Sequence, residues 1–306
     1  MYRLLSHRGP DGPVAGVLIG ERVVPAAELL AGTGVDGSSV RALVADWDRA
    51  HPALAAASAG VDPGAGTPPA ELELLAPLPC PGTIYCAGAN YWDHLEEMDG
   101  PMDRSRRAAE PWFFVKASGP RVVVGDRAEV AIPAKVRQLD WEAELAVVIG
   151  REARHVDVAG APAVIAGYTI LNDLSARDLM RRADRPPAMA FDWVGQKCFD
   201  GAAPMGPWLT PAAAIDDPHD LDVRLWVNGE LKQDSNTRGL IHDVYEQIAW
   251  LSGQLTLLPG DVVATGTPAG VGLPRGEFLG PGDVVRVEIE GCGTLTTTFT
   301  TEARDG

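Results

Sequence analysis

From about residue 80 onward the chain is written as short apolar runs cut apart by Gly, Pro and Asp, among them Thr83–Ala87, Trp112–Lys116, Ala143–Ile149, Val164–Leu171, Val223–Val227, Asp261–Ala264 and Val284–Ile289. Runs of this length, rich in β-branched residues and bounded by turn formers, read as strands. Tyr245–Leu251 carries apolar residues at helical spacing and predicts a helix. With 34 Gly and 25 Pro among 306 residues, the chain holds too many helix breakers for a helical bundle. The expected class is therefore α+β and β-rich.

The first 75 residues have a different texture. Val14–Val24 predicts a hairpin turning near Gly20-Glu21, and Val40–Trp47 has helical spacing. Residues 52–70, PALAAASAGVDPGAGTPPA, have no apolar period and read as a linker or a loosely packed connection. The expected organisation is a small N-terminal module, 1–75, followed by a β-rich domain, 80–303.

Charge narrows the function. The 26 Lys and Arg stand against 42 Asp and Glu, a net charge of −16. Nucleic-acid grooves and polybasic membrane anchors need a positive field, so neither is expected. No apolar run approaches the about 18 residues needed to span a bilayer. Cys80, Cys86, Cys198 and Cys292 lack metal-binding or disulfide spacing and read as reduced thiols in a cytoplasmic protein.

Three stretches carry chemistry. In QLDWEAELAVVIG, 138–150, Glu142 and Glu144 are two apart in a strand-like run, so their carboxylates share a face. Like charges in such apolar company need compensation, and a hard divalent cation with oxygen ligands supplies it. Asp173, ending the run GYTILND, is placed to add a third oxygen donor. Lys197, in VGQKCFD, could stabilise an anionic substrate beside them. In NYWDHLEEM, 90–98, Asn90 is expected to cap a short helix on which His94 and Glu97, three apart, share a face. A His held by a carboxylate is a general base for water. In DVVATGTPAGVG, 261–272, loop amides and the Thr265 and Thr267 hydroxyls could bind a substrate carboxylate. Taken singly, each feature also has an ordinary structural use: a solvated strand face, a turn-starting Asp, a surface Lys, a surface His–Glu pair, a tight turn.

Taken in order, DWEAELAVVIG, GYTILNDLSARDL, VNGELKQDSNT, LLPGDVVATGTPAGVG and FLGPGDVVRVEIEGCGTL, preceded by NYWDHLEEM, resemble the fumarylacetoacetate hydrolase family over about residues 80 to 300. The resemblance implies a mixed β-sandwich roll, usually in a homodimer. It implies Glu142, Glu144 and Asp173 as ligands of Mg²⁺, or of Mn²⁺ or Ca²⁺. His94 and Glu97 become the water-activating pair and Lys197 the active-site lysine, with Arg177, Thr267 and Tyr91 as substrate contacts. The implied substrate is a small anionic 2-oxo acid. The implied reaction is hydrolysis of a C–C bond in an acylpyruvate-type diketo acid, or isomerisation or decarboxylation of a 2-oxo or 2-hydroxy-dienoate. One departure stands out: members acting on small 2-oxo acids often have Gln after SARDL, where this chain has Met180. Segments 99–111 and 181–193 are expected as mobile loops at the mouth, where Arg104, Arg106, Arg107, Arg181 and Arg182 could meet a distal carboxylate.

Overall fold

The computed structural model describes residues 1–62, 64–101 and 110–303. Its strands form two main sheets. The larger has eleven strands, whose path runs Arg22–Pro25, Gly12–Ile19, Tyr2–Gly9, Ala203–Pro211, Ile165–Asn172, Ala143–Ile149, Val262–Ala264, Ile84–Gly88 and Trp112–Lys116, with Leu74–Leu75 and Val123–Val124 paired off it. The smaller has five: Glu230–Asn236, Asp222–Val227, Val284–Ile289, Gly293–Thr301 and Ala128–Ile132. Pairing is mostly antiparallel, but Val262–Ala264 runs parallel to Ile84–Gly88 and Gly293–Thr301 parallel to Ala128–Ile132. The expected β-rich α+β sandwich is the observed one.

One apolar core fills the space between the sheets. Leu145, Val147 and Ile170 of the larger meet Leu225, Val287, Leu295 and Phe299 of the smaller. On its other face the larger sheet is covered by N-terminal helices, whose Leu43, Trp47 and Leu54 share a core with Ala146, Val148 and Leu209. Ala143–Ile149 and Ile165–Asn172 are therefore buried at every position, which explains why both are near-continuous apolar runs.

The helix over 245–251 is found as Val244–Gln254. Asp243 accepts from the Tyr245 and Glu246 amides, and Glu246 returns to the Asp243 amide, closing a capping box. In the N-terminal region one strand went unread and one reading needs correction. Tyr2–Gly9 is a strand, joined to Ala203–Pro211 at Leu4↔Leu209, although its Arg, Ser and His break the apolar pattern. Residues 52–58 are helix, not linker: Trp47–Ser58 is one helix with Leu54 fully buried. Alanine-rich sequence hides an apolar face, because Ala is both the best helix former and small enough to pack without a visible period.

Candidate active site

The site lies where several strand ends converge. Ala143–Ile149 pairs antiparallel with Ile165–Asn172, setting Ala143 opposite Asn172 and Glu144 opposite Leu171. That register brings Asp173, just past one strand, beside Glu142, just before the other, and the Asp173 amide donates to the Glu142 carbonyl at 2.9 Å. On the other side Ala146 pairs with Ala264, so the 265–272 loop emerges at the same end. One carboxylate oxygen from each of Glu142, Glu144 and Asp173 lies within 4.8 Å of the others, and all three residues are buried. Three clustered hard oxygen donors suit a divalent cation of the Mg²⁺, Mn²⁺ or Ca²⁺ type.

Cations surround the carboxylates. The Lys197 ammonium donates to Glu142 Oε2 and Asp173 Oδ2, both at 2.7 Å. Arg177 donates through Nη2 to Glu142 Oε1 at 2.6 Å and through Nε to Asp140 Oδ2 at 2.8 Å. These charges split the two glutamates. Burial alone would raise Glu142, but Lys197 and Arg177 outweigh it and hold its carboxyl well below the usual carboxylate range. Burial pushes Glu144 well above that range, with Asp173 and Glu142 adding to the rise and a bond from the Gly266 amide opposing it. Burial would lower the Lys197 ammonium, yet Asp173 and Glu142 more than reverse this and keep it charged.

The helix Trp92–Asp99 presents the His–Glu pair. His94 Nδ1 is 3.7 Å from Glu97 Oε1, and both side chains are only slightly exposed. Glu97 is fixed from behind by the Gly270 amide at 2.6 Å. Asn90 is not the cap expected: the cap position falls to Tyr91, without a side-chain bond. Asn90 instead donates to the His242 and Thr265 carbonyls and accepts from the His242 amide, pinning the start of the helix to the 265–272 loop. A buried Asn with such backbone partners is better used there than at a helix end.

The loop also departs from expectation. Its Gly266 and Gly270 amides point at the protein's own Glu144 and Glu97 rather than at open space. Gly266 has φ +99, and a Cβ there would sit 2.9 Å from the Asn90 Cβ, so the amide can reach Glu144 only because the residue is glycine. Thr267 lines the cavity and accepts from Gln233 Nε2 at 2.8 Å; Thr265 does not line it. The cavity, about 150 Å³, brings together His94, Glu142, Glu144, Arg177, Lys197 and Thr267. Tyr91 is not among its lining residues: it is 1% exposed, with its ring against Gly239. Arg182 is paired with Asp192 at 2.5 Å, and Arg181 lies over the Phe191 ring. Arg104, Arg106 and Arg107 lie outside the described residues.

Three residues went unread in the sequence. Lys116 is 1% exposed and donates to Asp173 Oδ1 at 2.5 Å and to the Leu174 carbonyl at 3.1 Å. Its only sequence signal is one Lys closing the apolar strand WFFVK. Asp140 clamps Arg177 while accepting from the Gly272 and Leu273 amides, and Gln233 ties the Ala143 amide to Thr267 and Pro268. Asp140 stands in the same short motif as the two glutamates; Gln233 left no local signal.

Residues 83–300 match the model of the fumarylacetoacetate hydrolase C-terminal domain. The chain belongs to the fumarylacetoacetate hydrolase family. Over 230 residues it is 40% identical to a mitochondrial oxaloacetate tautomerase of Homo sapiens, covering 74% of this chain and 69% of that one. Among solved structures it resembles maleylpyruvate hydrolase from Sphingobium, determined with manganese and pyruvate, at 31% identity and TM-score 0.77, over 98% of this chain and all of the other. It also resembles 2-hydroxyhepta-2,4-diene-1,7-dioate isomerase from Mycobacterium marinum, at 32% identity and TM-score 0.70, over 99% of this chain and all of that one. The family thus spans hydrolase, isomerase and tautomerase chemistry on one architecture. All four cysteines of this chain are free, and among the described residues no helix is long and apolar enough to cross a membrane.

Proposed function

We propose that this family member is a divalent-metal-dependent hydrolase that cleaves a C–C bond in an acylpyruvate-type 1,3-diketo acid. The observation that carries the reading is His94, with Glu97 3.7 Å behind it, lining the cavity that also holds Glu142 and Glu144. A His backed by a carboxylate suits deprotonation of water for hydrolysis, and the same base could also move a proton in an isomerisation, so experiment separates the two readings.

Glu142, Glu144 and Asp173 would hold Mg²⁺ or Mn²⁺, and the ion when bound supplies Lewis acidity to the substrate carboxylate and 2-oxo group. The protein's own residues do the rest. Glu97, held by the Gly270 amide, orients His94, and His94 takes a proton from water as its oxygen attacks the distal carbonyl carbon. That C–O bond forms, the bond between the carbonyl carbon and the methylene breaks, and its electron pair remains on pyruvate as an enolate. The Lys197 ammonium faces the developing negative charge. His94 returns that proton to the enolate carbon, which completes pyruvate, and the acyl fragment leaves as a carboxylic acid that ionises to solvent. Arg177 and Thr267 bind the anionic head.

The competing reading, isomerisation or tautomerisation of a 2-oxo acid, is supported by the 40% identity to the human tautomerase. Hydrolysis in ¹⁸O-labelled water separates the two: the label enters the acyl carboxylate only if water attacks. Glu144→Ala should abolish Mn²⁺ binding and acylpyruvate cleavage together. His94→Asn should cost about 10²- to 10⁴-fold in kcat with Mn²⁺ affinity retained. Cleavage that survives chelation or Glu144→Ala sinks the proposal. We also propose a cytoplasmic homodimer, supported by the four free cysteines and by exposed apolar Val115, Met189 and Val194; a sedimentation mass of one chain would refute the dimer.

A further inference from the structure

The cavity has two unlike walls. One is ionic, with Glu142, Glu144, Arg177 and Lys197; the other is apolar, with Trp112, Phe114, Met180, Phe191 and Trp193. The rings of the second wall form one continuous surface centred on Trp193. Phe114 stacks on it at 4.7 Å between centroids and 12° between planes, Phe191 lies at 4.3 Å, and Trp112 at 5.2 Å. Trp112 is 53% exposed and Phe191 38%, so these two rings face the cavity mouth, while Phe114, which Trp193 stacks on, is rooted in the core.

Trp112 also forms a partition. It stands directly across from Gly88 in the strand pair, and a Cβ on Gly88 would meet the indole at 2.3 Å, so the ring lies flat on the glycine. Gly88, Ala89 and Trp112 line a second cavity as well, of about 230 Å³, with Trp92, Leu95, Pro111 and Ile241 around it. The two spaces meet at the half-exposed indole.

Among the described residues, no Lys or Arg lining either space is left without a carboxylate partner. Among the described residues, the cations lining the first cavity are Arg177 and Lys197, each already bonded to two carboxylates. The second is lined by no Lys or Arg among the described residues, and it contains Glu110. Arg181 lies over the Phe191 ring, 5.8 Å from its centre, and is not among the residues lining either cavity.

We infer that the substrate's distal group is apolar, an aryl or extended alkyl or alkenyl tail lying on the Trp112–Phe114–Met180–Phe191–Trp193 wall, and that a carboxylate-ended tail is disfavoured. This rests on the proposed seat of the 2-oxo acid head at the carboxylate cluster. It does not depend on whether the bound acid is then hydrolysed or tautomerised. Aromatic faces and a thioether reward apolar surface taken from water, while a carboxylate placed there loses hydration without a partner.

The test uses the full-length protein loaded with Mn²⁺ and two acids with the same head, phenylpyruvate and oxaloacetate, titrated by calorimetry. Phenylpyruvate should bind at least about tenfold more tightly. Met180→Arg should shrink or reverse that ratio, and the milder Met180→Gln should move it in the same direction. Equal or tighter binding of oxaloacetate, binding of neither acid, or a ratio unmoved by both variants would overturn the inference. Turnover of benzoylpyruvate is followed in parallel. Tail preference without turnover supports this subsite and removes the hydrolase reading; turnover without tail preference does the opposite.

Discussion

The carboxylate cluster and the aromatic rim share one cavity but stand on different supports. Glu144 lies in Ala143–Ile149, Asp173 directly follows Ile165–Asn172, and both strands are buried at every residue in the middle of the larger sheet. Met180 caps the 3₁₀ turn Arg177–Leu179, Phe191 bridges to Arg181, and Trp193 opens the five-residue helix Trp193–Lys197, beside exposed residues 181–189. Trp112 begins an edge strand. The difference follows from what each part must do. Carboxylates that hold a metal lose most of their value with small displacements, so they need a rigid, hydrogen-bonded frame. Arg177 and Lys197 reach them from the same short turn and helix that carry Met180 and Trp193. Apolar contact is non-directional and tolerates movement, so it can be built on loops.

If that contrast holds, breaking the frame costs far more than trimming the rim. The largest effect is expected from Lys116→Met, which removes one of the two ammonium groups bonded to a completely buried Asp173. Leaving a buried charge under-compensated should cost about 3–5 kcal/mol, read from urea unfolding. Gly266→Ala comes next. The left-handed φ and the 2.9 Å approach to Asn90 predict a loss of about 1–3 kcal/mol, and activity should fall with it as the amide moves away from Glu144.

A pH test sharpens the electrostatic side. Glu144 is held protonated above the usual range by burial, Asp173 and Glu142, while Glu142 stays ionised. Binding a divalent cation requires both as carboxylates, so it must expel the Glu144 proton. Mn²⁺ affinity should therefore rise with pH until Glu144 titrates in the free protein. Calorimetry in buffers of different ionisation heat should show that proton leaving; an affinity flat from pH 5 to 8 with no proton release would contradict this. The smallest effect belongs to the rim. Trp112→Ala removes a half-exposed ring and should change stability by about 1 kcal/mol or less, while raising KM for an aryl-tailed substrate more than it lowers kcat.

Much of this was legible in one dimension. The strand bounds follow from apolar runs that match the observed strands nearly residue for residue, as at Trp112–Lys116, Ala143–Ile149 and Val284–Ile289. Glu142, Glu144, Asp173, His94 and Glu97 could be read because a carboxylate or a spaced His–Glu pair is conspicuous in apolar or helical surroundings. Lys116 and Gln233 could not, since each makes its decisive bonds to residues dozens of positions away. The helix over 47–58 was hidden because alanine carries little hydrophobic contrast.

By itself, the sequence determined the fold class, the family and which side chains are able to hold a cation or move a proton, because local periodicity and residue chemistry carry that information. Only the tertiary structure decided what each group faces. It turned the Gly266 and Gly270 amides onto Glu144 and Glu97 and set Lys197 between Glu142 and Asp173. It also laid Trp112 across Gly88 between two cavities. Those pairings depend on strand register and loop closure across the whole chain, and through them burial and neighbouring charge shift the titrations of two glutamates of one motif in opposite directions.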